Sequence, residues 1–579
     1  MLVQWIQRRR GLLAALAGLT LATAFLEWGV AGFAWAAPAL LLVALHGVSG
    51  ATAFRVGYVF GLAFWLAAVH WLLFIPVRGY PVLGWLALSG FLALFPATWA
   101  WWVASGRAHG AIDAAGADKF PGRGPGALFS SSWPSGWGSR AAWGLSAAAA
   151  WVALEMIQAR MLGGFPWNLL GVSQYRLTPL IQIASFTGVY GVSFLVMWVA
   201  AGLYLAGLAI WRAPGARHAW LPEMILPLLA VVVAFGWGWR RVGQSESPGV
   251  MLRVTFVQPS IPQTMIWNEA EDDRRFAELL ALTQRALTNP TDLLLWPEAA
   301  VPRPIRYDEA TYRAVSELAR TNRVWIILGS DDAEPRAGER AADAVDYFNS
   351  GFLVSPSGEV LERYHKRHLV MFGEYVPGTR WLPFIRWFTP ITGSFTPGRT
   401  VATFPIELPQ AVGAREATAP VNDAPVRLHA APLICFEDVF PHRVRQHAGP
   451  DVDFLVNLTN DGWFGESAAQ WQHAAAALFR AVENGLPLLR CCNNGLSCWI
   501  DANGRVRATL RDARGRVYGP GAMTLEVSVP LRDAASDRTL YNRHGDWFGW
   551  SCVAVTALGA RARFLRLMRR NSGSRNAAA

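Results

Sequence analysis

Apolar residues fall in long unbroken blocks over the first 240 positions and in short alternating runs after them. About 20 apolar residues in a helix cross the roughly 30 Å of bilayer hydrocarbon. Stretches of that kind recur at 11–28, 31–49, 54–76, 81–104, 141–162, 186–211 and 219–239, so residues 1–240 are expected to form a transmembrane domain of seven spans. Between the fourth and fifth, residues 106–140 are rich in Gly, Pro and Ser with no apolar period, and they read as a loop. From about 250 the pattern changes. β-rich runs at 252–257, 292–296, 324–329, 348–354, 428–435, 453–458, 486–491 and 523–529 alternate with amphipathic helices at 271–287, 309–321 and 468–484. That alternation predicts an α/β domain over 250–540. A last apolar run, 547–560, is short for a span but opens on aromatic residues suited to a membrane interface, and it is counted as the eighth; a basic tail, 561–579, follows.

Composition supports the membrane reading: 53% of residues are hydrophobic and only 16% charged, more apolar than a soluble protein. The net charge of +11 does not lie in a stripe interleaved with aromatics, so nucleic acid is not an expected partner. The basic residues report topology instead. Arg8, Arg9 and Arg10 lead into the first span with no cleavage site behind them, and the tail carries Arg561, Arg563, Arg566, Arg569, Arg570 and Arg575. Loops sharing their side hold Arg55, Arg107, Lys119, Arg123, Arg140, Arg212 and Arg217; the opposite side is poorer, with Arg240 and Arg241 as exceptions. Both termini are therefore expected in the cytoplasm and the α/β domain outside it. Five cysteines without CxxC spacing or a nearby histidine pair indicate neither zinc nor a disulfide framework, and Cys491, Cys492 and Cys498 read as small buried hydrophobes. Glu27, His46, His70 and Glu155 lie in or near the spans, where packing and function are equally open readings.

Three runs of the α/β domain each bring one reactive residue to the end of a strand: Glu298 in DLLLWPEAAVP, Lys366 in ERYHKRHLVMFGEYVP and Cys435 in HAAPLICFEDVFP. A thiol becomes a nucleophile when a base removes its proton or a cation stabilises the thiolate. Glu298, held in an apolar pocket, serves as the base, and Lys366 stands where an oxyanion develops. This predicts acyl transfer through a thioester, with bulky neighbours Met371, Phe372, Trp381, Phe384, Trp387 and Phe436 walling out water.

These residues resemble the Glu-Lys-Cys triad of the nitrilase superfamily, and LVNLTNDGWFG and RCCNNGLS look like its later strand ends. With the flanking spans, the run beginning at Glu155, VQPSIPQTMIW ending at Trp267 and RTLYNRHGDW ending at Trp547, the chain is similar to the apolipoprotein N-acyltransferases. The resemblance implies an αββα domain on the periplasmic side of the inner membrane. It implies transfer of an acyl chain from a phospholipid to the N-terminal diacylglyceryl-cysteine of apolipoproteins, without cofactor or metal, by a monomer. It makes Glu298, Lys366 and Cys435 catalytic and places Trp267, Glu374, Phe436 and Glu437 around the substrate. Phe436 departs from the tyrosine common at that position. A membrane-tethered amidase or nitrilase, and a non-catalytic scaffold or transporter with a nitrilase-like domain, are the alternatives.

Overall fold

The computed structural model describes residues 8–77, 80–105, 136–244, 249–266, 268–336, 345–378, 384, 394–409, 425–530 and 538–576. The chain divides into two compact units: Met1–His70, Trp85–Trp239 and Asp546–Ala579 form one, Trp71–Gly84 and Arg240–Gly545 the other.

The first unit is helical. Among the described residues four helices are long and apolar enough to cross a membrane, Gly50–Ala68, Tyr80–Ser105 (broken at Ala93), Val189–Arg212 and Leu221–Gly243, and the apolar helices Arg10–Thr23 and Phe33–Ala44 are shorter. Small residues set the helix spacing. A Cβ on Gly57 would lie 2.5 Å from that of Ala100, and one on Gly61 would lie 2.5 Å from Pro96, so these two glycines let neighbouring helices touch. Most of the 106–140 segment lies outside the described residues, but its end is helical, because Trp137–Gln158 forms one 22-residue helix. The final helix likewise runs past 560 to Asn576, with the Arg563 guanidinium 3.9 Å from the centre of the Trp102 ring and donating to its carbonyl at 2.8 Å. Aromatic support of this kind carries the helix beyond the apolar run. The third apolar stretch, expected to reach 76, stops at Ala68; His70–Phe74 turn as a 3₁₀ helix, and from Trp71 the chain belongs to the second unit. There the Trp71 indole meets Phe464 edge-on at 4.4 Å and donates to Gln472 at 2.9 Å, satisfying its N–H in a buried setting.

The second unit is built on strands β1 (Gly249–Gln258), β2 (Leu293–Leu295), β3 (Trp325–Pro335), β4 (Val345–Val354), β5 (Val360–His365), β6 (Phe404–Leu408), β7 (Val426–Ile434), β8 (Phe454–Thr459), β9 (Leu488–Cys492), β10 (Cys498–Ile500), β11 (Val506–Thr509) and β12 (Gly521–Pro530). They form two six-stranded sheets, ordered β12-β1-β2-β3-β4-β5 and β11-β10-β9-β8-β7-β6. The strand period of two decides which side chain joins which layer. Leu293 and Leu295 share a core with Phe454, Val456 and Leu458 of the other sheet, while Leu294 and Trp296 turn outward to Leu279, Val315 and Leu318 of the helices Asp272–Ala286 and Glu309–Asn322. On the second sheet's side, the helix Ala469–Asn484 is buried along its whole length. The layering is αββα. Its eight expected strands are all present; β5, β6, β10 and β11 are additional, β6 and β10 being apolar but only five and three residues long, β5 and β11 mostly polar and partly exposed.

Polar residues cross this second sheet at one place. Arg490 on β9 donates to Asp438 at 2.6 Å and to Asp461 at 2.8 Å, and His473 lies 2.7 Å from each of the same two carboxylates. Arg490, Asp438 and Asp461 are all fully buried. The Asp461 carboxyl, against the adverse effect of burial, is drawn down to about 2 by Arg490 and His473. Arg490→Met is therefore expected to strand two buried anions and cost about 3–5 kcal/mol. The measurement is thermal unfolding of the detergent-solubilised protein, and an unchanged midpoint would contradict the assignment.

Candidate active site

Glu298 follows β2, Lys366 follows β5 and Cys435 follows β7, so three strand ends deliver three reactive side chains from two sheets. The backbone is strained where it matters. Cys435 has φ 52° and Ala299, next to Glu298, has φ 50°, a left-handed conformation uncommon outside glycine. At Cys435 the apolar strand ends and a 3₁₀ turn, Cys435–Val439, begins at once, with the half-buried cysteine packed at the edge of the sheet core. Beside Glu298, a Cβ on Gly329 would lie 2.8 Å from the Glu298 Cα, so only glycine lets β3 approach this closely.

The Lys366 ammonium is 1% exposed, and it donates to Glu298 at 3.1 Å and Glu374 at 2.7 Å. Burial alone disfavours its charge, yet the two carboxylates hold it well above the usual lysine range, so the ammonium stays protonated. Asn349 on β4 donates to the same two carboxylates at 2.8 and 2.9 Å and fixes their spacing. Glu298 is thus not in an apolar pocket; its neighbours are an ammonium and an amide. Burial pushes the Cys435 thiol up, Glu298 adds to the shift, and Lys366 opposes it. The resting sulfur is a protonated thiol within electrostatic reach of both a carboxylate and an ammonium.

Glu437 does structural work. It accepts from the Tyr364 hydroxyl at 2.7 Å, from the backbone N–H groups of Arg367 at 2.8 Å and His368 at 3.0 Å, and from that of Ile434 at 2.9 Å. One carboxylate therefore ties the Lys366 loop to the turn that carries Cys435. From the other side Asn457 donates to the Cys435 carbonyl at 3.1 Å and also to Asp438, which links the turn to Arg490. Phe436 packs edge-on against Phe440 at 5.0 Å. Glu374, expected near substrate, joins the lysine cage and also accepts from the Val370 N–H at 2.7 Å. Trp267, Trp381 and Trp387 lie outside the described residues. Phe372 and Phe384, expected in an apolar wall, are 45% and 48% exposed. Asn349, Tyr364 and Asn457 were not expected. Asn457 is a lone polar residue in an apolar strand, a signal that marks buried hydrogen bonding without naming a partner, whereas Asn349 and Tyr364 stand in strands of mixed polarity that carry no such mark.

Asp332, Glu334 and His365 also converge, yet Arg306 lies 2.9 Å from Asp332, and Arg363 lies 2.6 Å from Glu334. Two guanidiniums already neutralise these carboxylates, and His365 stacks on Phe348 at 4.1 Å, so the cluster is an ion-pair network rather than a cation site.

Comparison with known proteins covers most of the chain. Residues 17–202 match the apolipoprotein N-acyltransferase N-terminal domain, and residues 253–520 match the carbon-nitrogen hydrolase family. An amidase of the nitrilase superfamily from Nesterenkonia AN1 aligns with 49% of this chain and 94% of its own, at 16% identity and a TM-score of 0.34. The apolipoprotein N-acyltransferase of Vibrio cholerae is 30% identical over 86% of this chain and 88% of its own length. That of Geobacter metallireducens is 34% identical over 97% of this chain and 96% of its own. With similarity running the length of both chains, the protein belongs to the apolipoprotein N-acyltransferase family.

Proposed function

We propose that this acyltransferase moves a fatty acyl chain from a phospholipid to the N-terminal diacylglyceryl-cysteine of apolipoproteins through a thioester on Cys435. The observation that carries the mechanism is the buried Lys366 ammonium, caged by Glu298 and Glu374 and within electrostatic reach of the thiol. Because the thiol rests protonated, attack on the donor ester requires a base, and Glu298 takes the proton as sulfur bonds to the carbonyl carbon. Lys366 is held charged without reorganisation and stabilises the oxyanion. Glu298 then returns its proton to the departing lyso-phospholipid alkoxide. In the second half the acceptor's amine attacks the thioester, gives a proton by way of Glu298 to the leaving sulfur, and frees Cys435. Glu374 and Asn349 keep Lys366 and Glu298 in place, and Glu437 keeps the lysine loop against the thiol.

Eight spans, with residues 250–540 in the periplasm and both termini in the cytoplasm, complete the reading. The excess of arginine in the lead, the tail and the alternate loops supports it. A phosphatase reporter fused near Ser355 should be active and one fused after Arg575 silent; the reverse pattern would reject this topology.

The chemistry is open to direct test. Enzyme given phospholipid without acceptor should accumulate a hydroxylamine-sensitive acyl group on Cys435, detected by mass spectrometry, and initial rates with both substrates varied should give parallel lines. Intersecting lines with no trappable adduct would reject the covalent route, and rapid release of free fatty acid would instead identify a hydrolase. Glu298→Gln and Lys366→Met should each lower the rate by on the order of 10² to 10⁴ in protein that still inserts and folds. Turnover near that of the unsubstituted enzyme in either variant would leave that residue a structural role only.

A further inference from the structure

Around the caged lysine the charges do not balance. Glu298 and Glu374 share the single ammonium of Lys366, and a third carboxyl, Asp331, is coupled electrostatically to both. Its position follows from strand geometry. Asp331 on β3 stands directly opposite Asn349 on β4, and residues so paired project from the same face of the sheet with Cβ atoms about 5 Å apart. Two residues earlier on that face Gly329 abuts the Glu298 backbone, so Asp331 is the next side chain along the row. Among the described residues no hydrogen bond reaches its carboxyl, and the residue as a whole keeps part of its surface exposed. Asn349, 6% exposed, spends its amide N–H groups on Glu298 and Glu374 and leaves Oδ1 buried without a partner.

Two acceptors side by side, beside an excess of negative charge, form a receptor for a primary ammonium. The acyl donor has no use for one, since its reacting group is an ester, whereas the acceptor arrives as an α-ammonium and must become a neutral amine to attack. We propose that Asp331, with Asn349 Oδ1, binds the α-ammonium of the incoming diacylglyceryl-cysteine and removes its first proton; this rests on the acyl-transfer reading above. The ammonium gives one proton to the Asp331 carboxylate, and the nitrogen lone pair then forms the C–N bond to the thioester carbon. A second proton passes to Glu298 as the C–S bond breaks toward sulfur, and Glu298 hands that proton to the thiolate. The amide keeps the third, and Asp331 releases its own to water as product leaves. The electrostatics suit the role. Burial, then Glu298 and Glu374, raise Asp331 to about 7, opposed by Arg275, whose guanidinium is held on one edge by Asp272. Lys366, bonded to both glutamates, is the other cation of the site. An α-amine titrates near 8, so the two groups exchange a proton across a small gap.

The test separates the half-reactions. Asp331→Asn enzyme, charged from phospholipid vesicles, should still carry a trappable acyl group on Cys435, which also reports correct folding. Its transfer to a synthetic diacylglyceryl-cysteine peptide should fall about ten-fold at pH 7, the fraction of such an amine that is neutral there being about one tenth. The lower limb of the pH profile should move from about 7 to about 8, and the deficit should close by about pH 9. Hydroxylamine, already neutral at pH 7, should discharge the variant as fast as the unsubstituted enzyme, and Asp331→Glu should restore part of the transfer. Equal peptide transfer by the variant at every pH, or an equal loss with hydroxylamine, would overturn the proposal. Failure of the unsubstituted enzyme to hold any acyl group would overturn the thioester reading together with this step.

Discussion

A lysine ammonium stripped of water is the constraint on which the catalytic unit depends. Moving such a charge out of water costs several kcal/mol even after relaxation, and only opposite charge at hydrogen-bond distance offsets it. Lys366 therefore needs Glu298 and Glu374, and those two carboxylates, drawn together, need Asn349 to keep their separation. The requirement reaches into the backbone. Glu298 comes close enough only because β3 presents Gly329 at the crossing, and the adjoining peptide takes up the left-handed turn at Ala299.

A second demand comes from the nucleophile. Cys435 occupies a backbone conformation that costs of order 1–3 kcal/mol for a non-glycine residue, and it persists only where neighbours over-determine it. Two buried acids that follow it in sequence supply that hold in opposite directions. Glu437 reaches toward the first sheet and gathers the N–H groups of Arg367 and His368, so the lysine and the thiol are positioned by one carboxylate. Asp438 reaches into the second sheet and, through Asn457, Arg490 and His473, anchors the same turn to β8, β9 and the helix behind them. Neighbouring residues of like charge thus do separate jobs because the 3₁₀ turn points them apart. Sulfur gains reactivity from this frame rather than from a lowered resting pKa, since burial and Glu298 both favour the thiol.

Residue pattern alone determined a good deal. Unbroken apolar blocks marked the helical unit, the alternation after 250 marked an α/β unit, and three strand ends marked Glu298, Lys366 and Cys435, because hydrophobic period and strand ends are local properties of a chain. Tertiary structure alone decided where each block stops, since the ends at Ala68 and Asn576 depend on partners distant in sequence, Gln472 and Phe464 for Trp71 and Trp102 for Arg563. The division of labour among the acids was likewise invisible beforehand. Glu374 and Glu437 both read as carboxylates near substrate, yet the fold puts one in the lysine cage and the other in the clamp beneath the thiol, and it raises Asp331, which no motif marks, to the same face as Asn349. A carboxylate's role depends on which donors surround it, and those donors come from strands that only the folded sheets bring side by side.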